Sequence, residues 1–253
     1  MHEKKDLTYA QIPGFRPLLL DLRVPLGDGP FPVVVWIHGG AFLFGDRRFL
    51  PDTVPPGAVF DALVEAGIAV ATIDYRFSGE AVFPAQLDDV KAALAYLRDT
   101  AEEHHLDADR IGTWGESAGG HLAALAGLTD GGIAAVVAWY PLTDLSAMED
   151  LHDAETPMAK LIGGPPAELP ALAAQASPVT HVTAAAPPFL LVHGTADEAL
   201  PLSQSEVLHE RLLAAGASST FLPVEGADHI FEGHDDIAGL IAASVAFLAK
   251  ALR

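Results

Sequence analysis

A serine in a glycine-flanked turn, then an aspartate, then a histidine: in that order, these residue types could carry out acyl transfer. The serine is Ser117, in the stretch TWGESAGGHLAAL (113–125), where Gly115 and Gly119 stand two positions to either side. A serine hydroxyl is a weak nucleophile until a neighbouring base takes its proton, and a carboxylate holds that base in the productive tautomer. The bare Gly-x-Ser-x-Gly pattern decides little, because a chain of this length matches it by chance roughly one time in ten. Its surroundings carry more weight. An apolar, strand-like run, RIGTW (110–114), enters the turn, and a helix-forming run, HLAALAGL (121–128), leaves it. Strand, sharp turn and helix form the context of a nucleophile elbow, which lifts the hydroxyl above a sheet. The Ala118 amide then stands at a helix N-terminus, where the helix dipole favours a developing negative charge. As a helix N-cap alone, Ser117 would predict nothing about the other strand ends.

Three further strand ends carry suitable residues. His38-Gly39-Gly40-Ala41 follows the run VVVWI (33–37). Two glycines permit a tight backbone path with exposed amides. The Gly40 and Ala41 amides are candidate oxyanion donors, and such a donor typically lowers an acyl-transfer barrier by about 2.7–4 kcal/mol. Asp197 follows PFLLVH (188–193); Glu198 beside it and Asp144 in WYPLTDL are the contenders. Asp197 is preferred because its loop precedes the stretch with the best-placed histidine. That stretch is FLPVEGADHIFEG (221–233), where His229 sits in a loop and His234 lies closer to the next helix. Of the other histidines, His121 is expected to pack or cap, His38 and His193 to bond their own loops, and His104 and His105 to be solvated. Phe42, Phe44, Phe83 and Phe231 are candidates for lining a substrate cleft, although phenylalanines near strand ends more often belong to the core. No His-Glu-x-x-His or comparable ligand spacing occurs, so the chemistry calls for neither metal nor cofactor.

Such residues need a scaffold that brings strand ends together. VVVWI, IAVATI (68–73) and AAVVAW (134–139) are short apolar runs rich in β-branched residues, as buried parallel strands are. PFLLVH and STFLPV (219–224) are further strands, and LLLDLRV (18–24) alternates as a half-exposed antiparallel strand would. Helical stripes lie between them: Leu87, Val90, Leu94, Leu97 and Ala101, then segments 202–215 and 235–252. Strands alternating with amphipathic helices imply a mostly parallel sheet covered on both faces, with the active edge beyond the carboxyl ends of the strands. No repeat or linker interrupts the pattern, so residues 1–253 read as a single domain.

Composition narrows the partners. Thirty-four acidic against fourteen basic residues give a formal charge of −20, which repels nucleic acid and anionic membranes and leaves neutral or cationic small molecules as substrates. The chain has no cysteine, which excludes disulfides, thiolate catalysis and zinc–thiolate sites. No apolar run reaches membrane-spanning length. The start, MHEKKDLTYAQIPGF, lacks the apolar stretch of a signal peptide, so a cytoplasmic location is the expectation.

In HGGAF, GESAGG, HGTAD and GADHIF the sequence resembles the α/β-hydrolase superfamily, carboxylesterase branch. DYRFSGEAVFPAQLDDVKAAL and ASPVTHVTAAAPPFLLVHG are similar to its compact bacterial esterases, among them the hormone-sensitive-lipase-like and the bifunctional acetylxylan/feruloyl esterase-like groups. The likeness runs from about residue 18 to the C-terminus. It implies Ser117 as nucleophile, His229 as general base and acid, Asp197 as its orienting carboxylate, and oxyanion amides at Gly40, Ala41 and Ala118. The implied activity is hydrolysis of short or small soluble esters. An acetylxylan/feruloyl esterase, a small peptidase or a formamidase on the same triad are alternatives, and a catalytically inactive binding protein is the least favoured. Two departures stand out. Relatives usually carry a third glycine where Ala41 stands; alanine fits if its φ is negative. Only 37 residues precede His38, so no large N-terminal cap is expected, and any lid must come from the polar, Pro-rich segment 143–186, which reads equally well as a packed excursion.

Overall fold

The computed structural model describes residues 1–253. Eight strands form one sheet: β1 His2–Ala10, β2 Leu18–Val24, β3 Phe31–Ile37, β4 Ala69–Ile73, β5 Leu106–Glu116, β6 Ile133–Trp139, β7 Phe189–Gly194 and β8 Ser219–Val224. Their spatial order is β1-β2-β4-β3-β5-β6-β7-β8. β1 and β2 pair antiparallel, as do β2 and β4, and every pairing from β4 through β8 is parallel. Seven helices cover the sheet: α1 Ala58–Glu65, α2 Ala85–Asp99, α3 Ala118–Thr129, α4 Pro157–Ile162, α5 Pro170–Ala176, α6 Ser203–Ala214 and α7 Ile237–Ala251.

Two-residue periodicity sorts each central strand between two cores. From β3, Val33, Val35 and Ile37 join residues of α2 to α6 on one face. Val34 and Trp36 join α1 and α7 on the other, where the Trp36, Trp114 and Trp139 rings meet edge to face. Both faces are covered, which is why these strands are apolar throughout.

Near the antiparallel edge the sequence reading needs three corrections. The second face of β2 is less open than a half-exposed strand would be: Leu19 and Arg23 are partly buried, and Asp21 is buried under Arg47 and Arg48. The polar N-terminus forms β1, and α1 follows the loop after β3; neither has an apolar pattern long enough to announce it. β1 in turn brings Lys4 Nζ to 2.8 Å from His104 Nδ1, so His104 is buried instead of solvated. Segment 143–186 holds α4, α5 and two short 3-10 turns, with Leu161, Ile162, Ala173 and Ala176 packed into the first core.

Because β3 through β8 run parallel, the turns after β3, β5, β7 and β8 open at one edge of the sheet. His38, Ser117, Asp197 and His229 all lie in those turns.

Candidate active site

The elbow is forced by close packing. Ser117 has φ 53° and ψ −119°, a conformation costly for a residue with a side chain. Its amide donates to the Trp139 carbonyl at 2.9 Å, which ties the turn to β6. A Cβ on Gly115 would overlap the Gly119 carbonyl, and one on Gly119 would overlap the Ile37 carbonyl. The glycines therefore permit α3 to leave β5 at this angle.

Three loops deliver the partners. Ser117 Oγ lies 3.1 Å from His229 Nε2, and His229 Nδ1 lies 2.7 Å from Asp197 Oδ2. The second Asp197 oxygen accepts the Ala199 and Leu200 amides at 2.9 and 2.8 Å. Burial alone would raise the Asp197 carboxyl, but hydrogen bonds from His193 and His229 outweigh it and hold the group well below the usual carboxylate range. His229 is fixed from its own loop as well, since the Asp228 carboxylate accepts its amide at 2.6 Å. A serine, an imidazole and an ionised carboxylate in this line can pass a proton from hydroxyl to ring while the carboxylate steadies the charge.

The turn after β3 is made of backbone. Gly40, Ala41 and Phe42 have φ 101°, 54° and 63°. Ala41 thus takes the left-handed conformation, so the negative φ under which alanine was to fit here is not the one adopted, and the turn is closed by Leu43 and Phe44 amides donating to the Gly40 carbonyl. The Gly40 and Ala41 amides donate to no protein acceptor. Gly40, Ala41 and Ala118 line the same cavity as Ser117 and His229.

That cavity measures about 600 Å³. Phe42, Phe44, Phe49, Leu142, Met148 and Met158 give it an apolar wall, and Met148 to Met158 comes from segment 143–186. Glu149, Asp150 and Glu198 also line it, and no Lys or Arg does. Phe83 and Phe231 lie elsewhere. Phe83 packs into the first core beside α2. The left-handed backbone at Ile230 and Phe231 turns the Phe231 ring inward against Trp139 and Tyr140, at 5.2 and 4.8 Å.

The contenders for Asp197's place do not reach the histidine. Asp144 caps its own turn through the Ser146 amide, and Glu198 stands on the cavity wall. His121 bonds the Leu142 carbonyl through Nδ1, and His38 bonds Gly39, both as expected of them. Sequence reasoning undervalued three residues. His193, besides bonding Leu200 of the following loop and Ser205 of α6, places Nε2 3.2 Å from Asp197 Oδ2; its place four residues before Asp197, at the end of an apolar strand, was the available signal. Glu116 is 2% exposed and Tyr140 is fully buried, both at the edge of the site; a charged residue inside the elbow motif was a signal for the first, and nothing singled out the second.

A family description named BD-FAE matches residues 20–212. The chain belongs to the BD-FAE family of α/β-hydrolase esterases. Esterase LipQ of Mycobacterium tuberculosis is 31% identical to this BD-FAE chain over 249 residues, covering 91% of it and 58% of LipQ. Esterase LipC of the same organism is 32% identical, with 85% and 57% covered. The chain therefore spans a little under three fifths of the curated relatives it matches. Among solved structures, a truncated carbohydrate esterase from gut microbiota superposes with a TM-score of 0.88 at 29% identity, covering 99% of this chain and 96% of that one. A bifunctional GH43-CE protein of Bacteroides eggerthii superposes at 0.87 with 32% identity, covering 99% of this chain and 38% of that one.

Proposed function

We propose that the protein is a serine carboxylesterase acting on small, uncharged esters. The observation that carries this reading is the unbroken line of hydrogen bonds from Ser117 Oγ through His229 to Asp197, opening into a cavity lined by unpartnered turn amides. His229 takes the Ser117 proton as the hydroxyl attacks the acyl carbon. The carbonyl oxygen becomes an oxyanion facing the Gly40, Ala41 and Ala118 amides. The imidazolium, steadied by Asp197, protonates the departing alcohol. Water, activated by the same imidazole, then releases the acid.

The cavity lining bears on the substrate. Its apolar wall suits a short acyl or aromatic group, and its carboxylates, with no cation among them, repel anionic esters. Similarity to a carbohydrate esterase and to a GH43-CE protein supports sugars as the alcohol portion. The test is a panel of p-nitrophenyl esters of increasing acyl length, with acetylated xylan, methyl ferulate, a free-acid ester, an aminoacyl amide and an N-formyl aromatic. We expect the highest kcat/KM on short neutral esters and poor turnover of the free acid. Faster cleavage of the amide or the formamide than of every ester would overturn the assignment.

A further inference from the structure

The carboxyl beside Ser117 takes no part in the Ser117–His229–Asp197 line. Glu116 ends β5, and one of its carboxyl oxygens accepts the Gly39 amide. The approach is so close that a Cβ on Gly39 would overlap the carboxyl group. Gly39 opens the turn whose next three residues, Gly40, Ala41 and Phe42, all have positive φ. A run of this kind persists only when its surroundings over-determine it. The other ties come from elsewhere in the chain: the Tyr75 hydroxyl donates to the His38 carbonyl at 2.9 Å, and the Ser78 amide donates to the Phe42 carbonyl at 2.8 Å. Glu116 alone among these ties sits on the strand that carries Ser117.

On its other side the carboxyl meets Tyr140, in the turn after β6. Tyr140 has φ 37°, its buried hydroxyl has no hydrogen-bond partner, and its ring stands edge-on to the His229 imidazole at 4.7 Å. The groups facing Glu116 are thus the Gly39 amide from the β3 turn, Tyr75 beyond β4, Tyr140 beyond β6 and His229 beyond β8, with Asp197 on the far side of Tyr140. None of them is a lysine or arginine. Burial pushes the carboxyl up to about 7. The Gly39 N–H donates to one oxygen of the carboxyl group, and the Tyr140 hydroxyl stands on its other side. As an anion the carboxyl would set a negative charge beside the place where an oxyanion forms, in surroundings of low dielectric.

We propose that Glu116 is a positioning residue for the oxyanion turn, a buried carboxyl group that ties the Gly39 amide to the strand leading into Ser117. The proposal rests on the esterase reading above. The test compares Glu116→Ala, Glu116→Gln and Ser117→Ala in the full chain, measuring kcat and KM on p-nitrophenyl acetate as a function of pH, with circular dichroism to check folding. Glu116→Ala should lose about 10²-fold in kcat with KM little changed, the effect of slightly misplaced reacting groups. Glu116→Gln keeps the acceptor and a donor without an ionisable proton. It should recover most of kcat below about pH 7 and lack the wild-type decline that sets in as Glu116 ionises above it. Should the alanine variant fail to fold, the glutamine variant's pH profile decides alone. Wild-type kcat in Glu116→Ala, or an alkaline decline unchanged in Glu116→Gln, overturns the role of Glu116. Full activity in Ser117→Ala would instead overturn the esterase reading itself.

Discussion

On one side of Ser117 the chain positions side chains; on the other it positions backbone amides. The His229 side is a relay of ionisable groups held by hydrogen bonds: Asp197 by the Ala199 and Leu200 amides of its loop and by His193 at the end of β7, His229 by Asp228. The Gly40 side offers backbone to the cavity. It consists of three residues with positive φ, held by Glu116, Tyr75 and Ser78. The first half depends on the chemistry of its side chains. The second depends on backbone shape and on whatever keeps that shape, so its weak points lie outside the residues that would touch the substrate.

Each half breaks in its own way. Asp197→Asn keeps the side-chain shape but removes the charge that fixes the imidazole tautomer, and kcat should fall about 10⁴-fold with the fold intact. A loss of less than tenfold would mean that this half does not work through a charged partner. Gly39→Ala strikes the other half, because the new Cβ collides with Glu116 and displaces the turn; the expected loss is about 10²–10³ in kcat, comparable to removing one oxyanion donor. Wild-type kinetics there would show that the turn is not held from Gly39. The smallest effect is expected at Ala41. With φ 54°, Ala41→Gly relieves a strain of about 1–3 kcal/mol, offset by roughly 0.4–1 kcal/mol of added unfolded-chain entropy. Thermal unfolding should therefore show a small gain in stability, and a clear loss would contradict the strain.

The same contrast explains what could be read from the sequence. Serine, aspartate and histidine announce their chemistry by type, and apolar runs before each located them at strand ends, so the Ser117–His229–Asp197 alignment was legible from order alone. The sheet was legible for the same reason wherever strands are buried on both faces. β1 was not, because an exposed edge strand such as HEKKDLTYA needs no apolar pattern; missing it also misplaced His104. The Gly40 turn was legible as a location but not as a shape. An amide is the same in every residue, and the left-handed φ of Ala41 is imposed by ties of the turn to Glu116, Tyr75 and Ser78 that each span 36 to 77 positions of the chain. Phe83 and Phe231 failed as cleft residues because an aromatic ring near a strand end can turn either way, and backbone conformation decides which.

The most direct test of the central claim is covalent. A fluorophosphonate probe should label the wild-type chain once, on the peptide containing Ser117. Ser117→Ala should take up no label, keep its circular dichroism and lose about 10⁶-fold in ester turnover. Label on a different residue, or undiminished turnover by Ser117→Ala, would contradict the account.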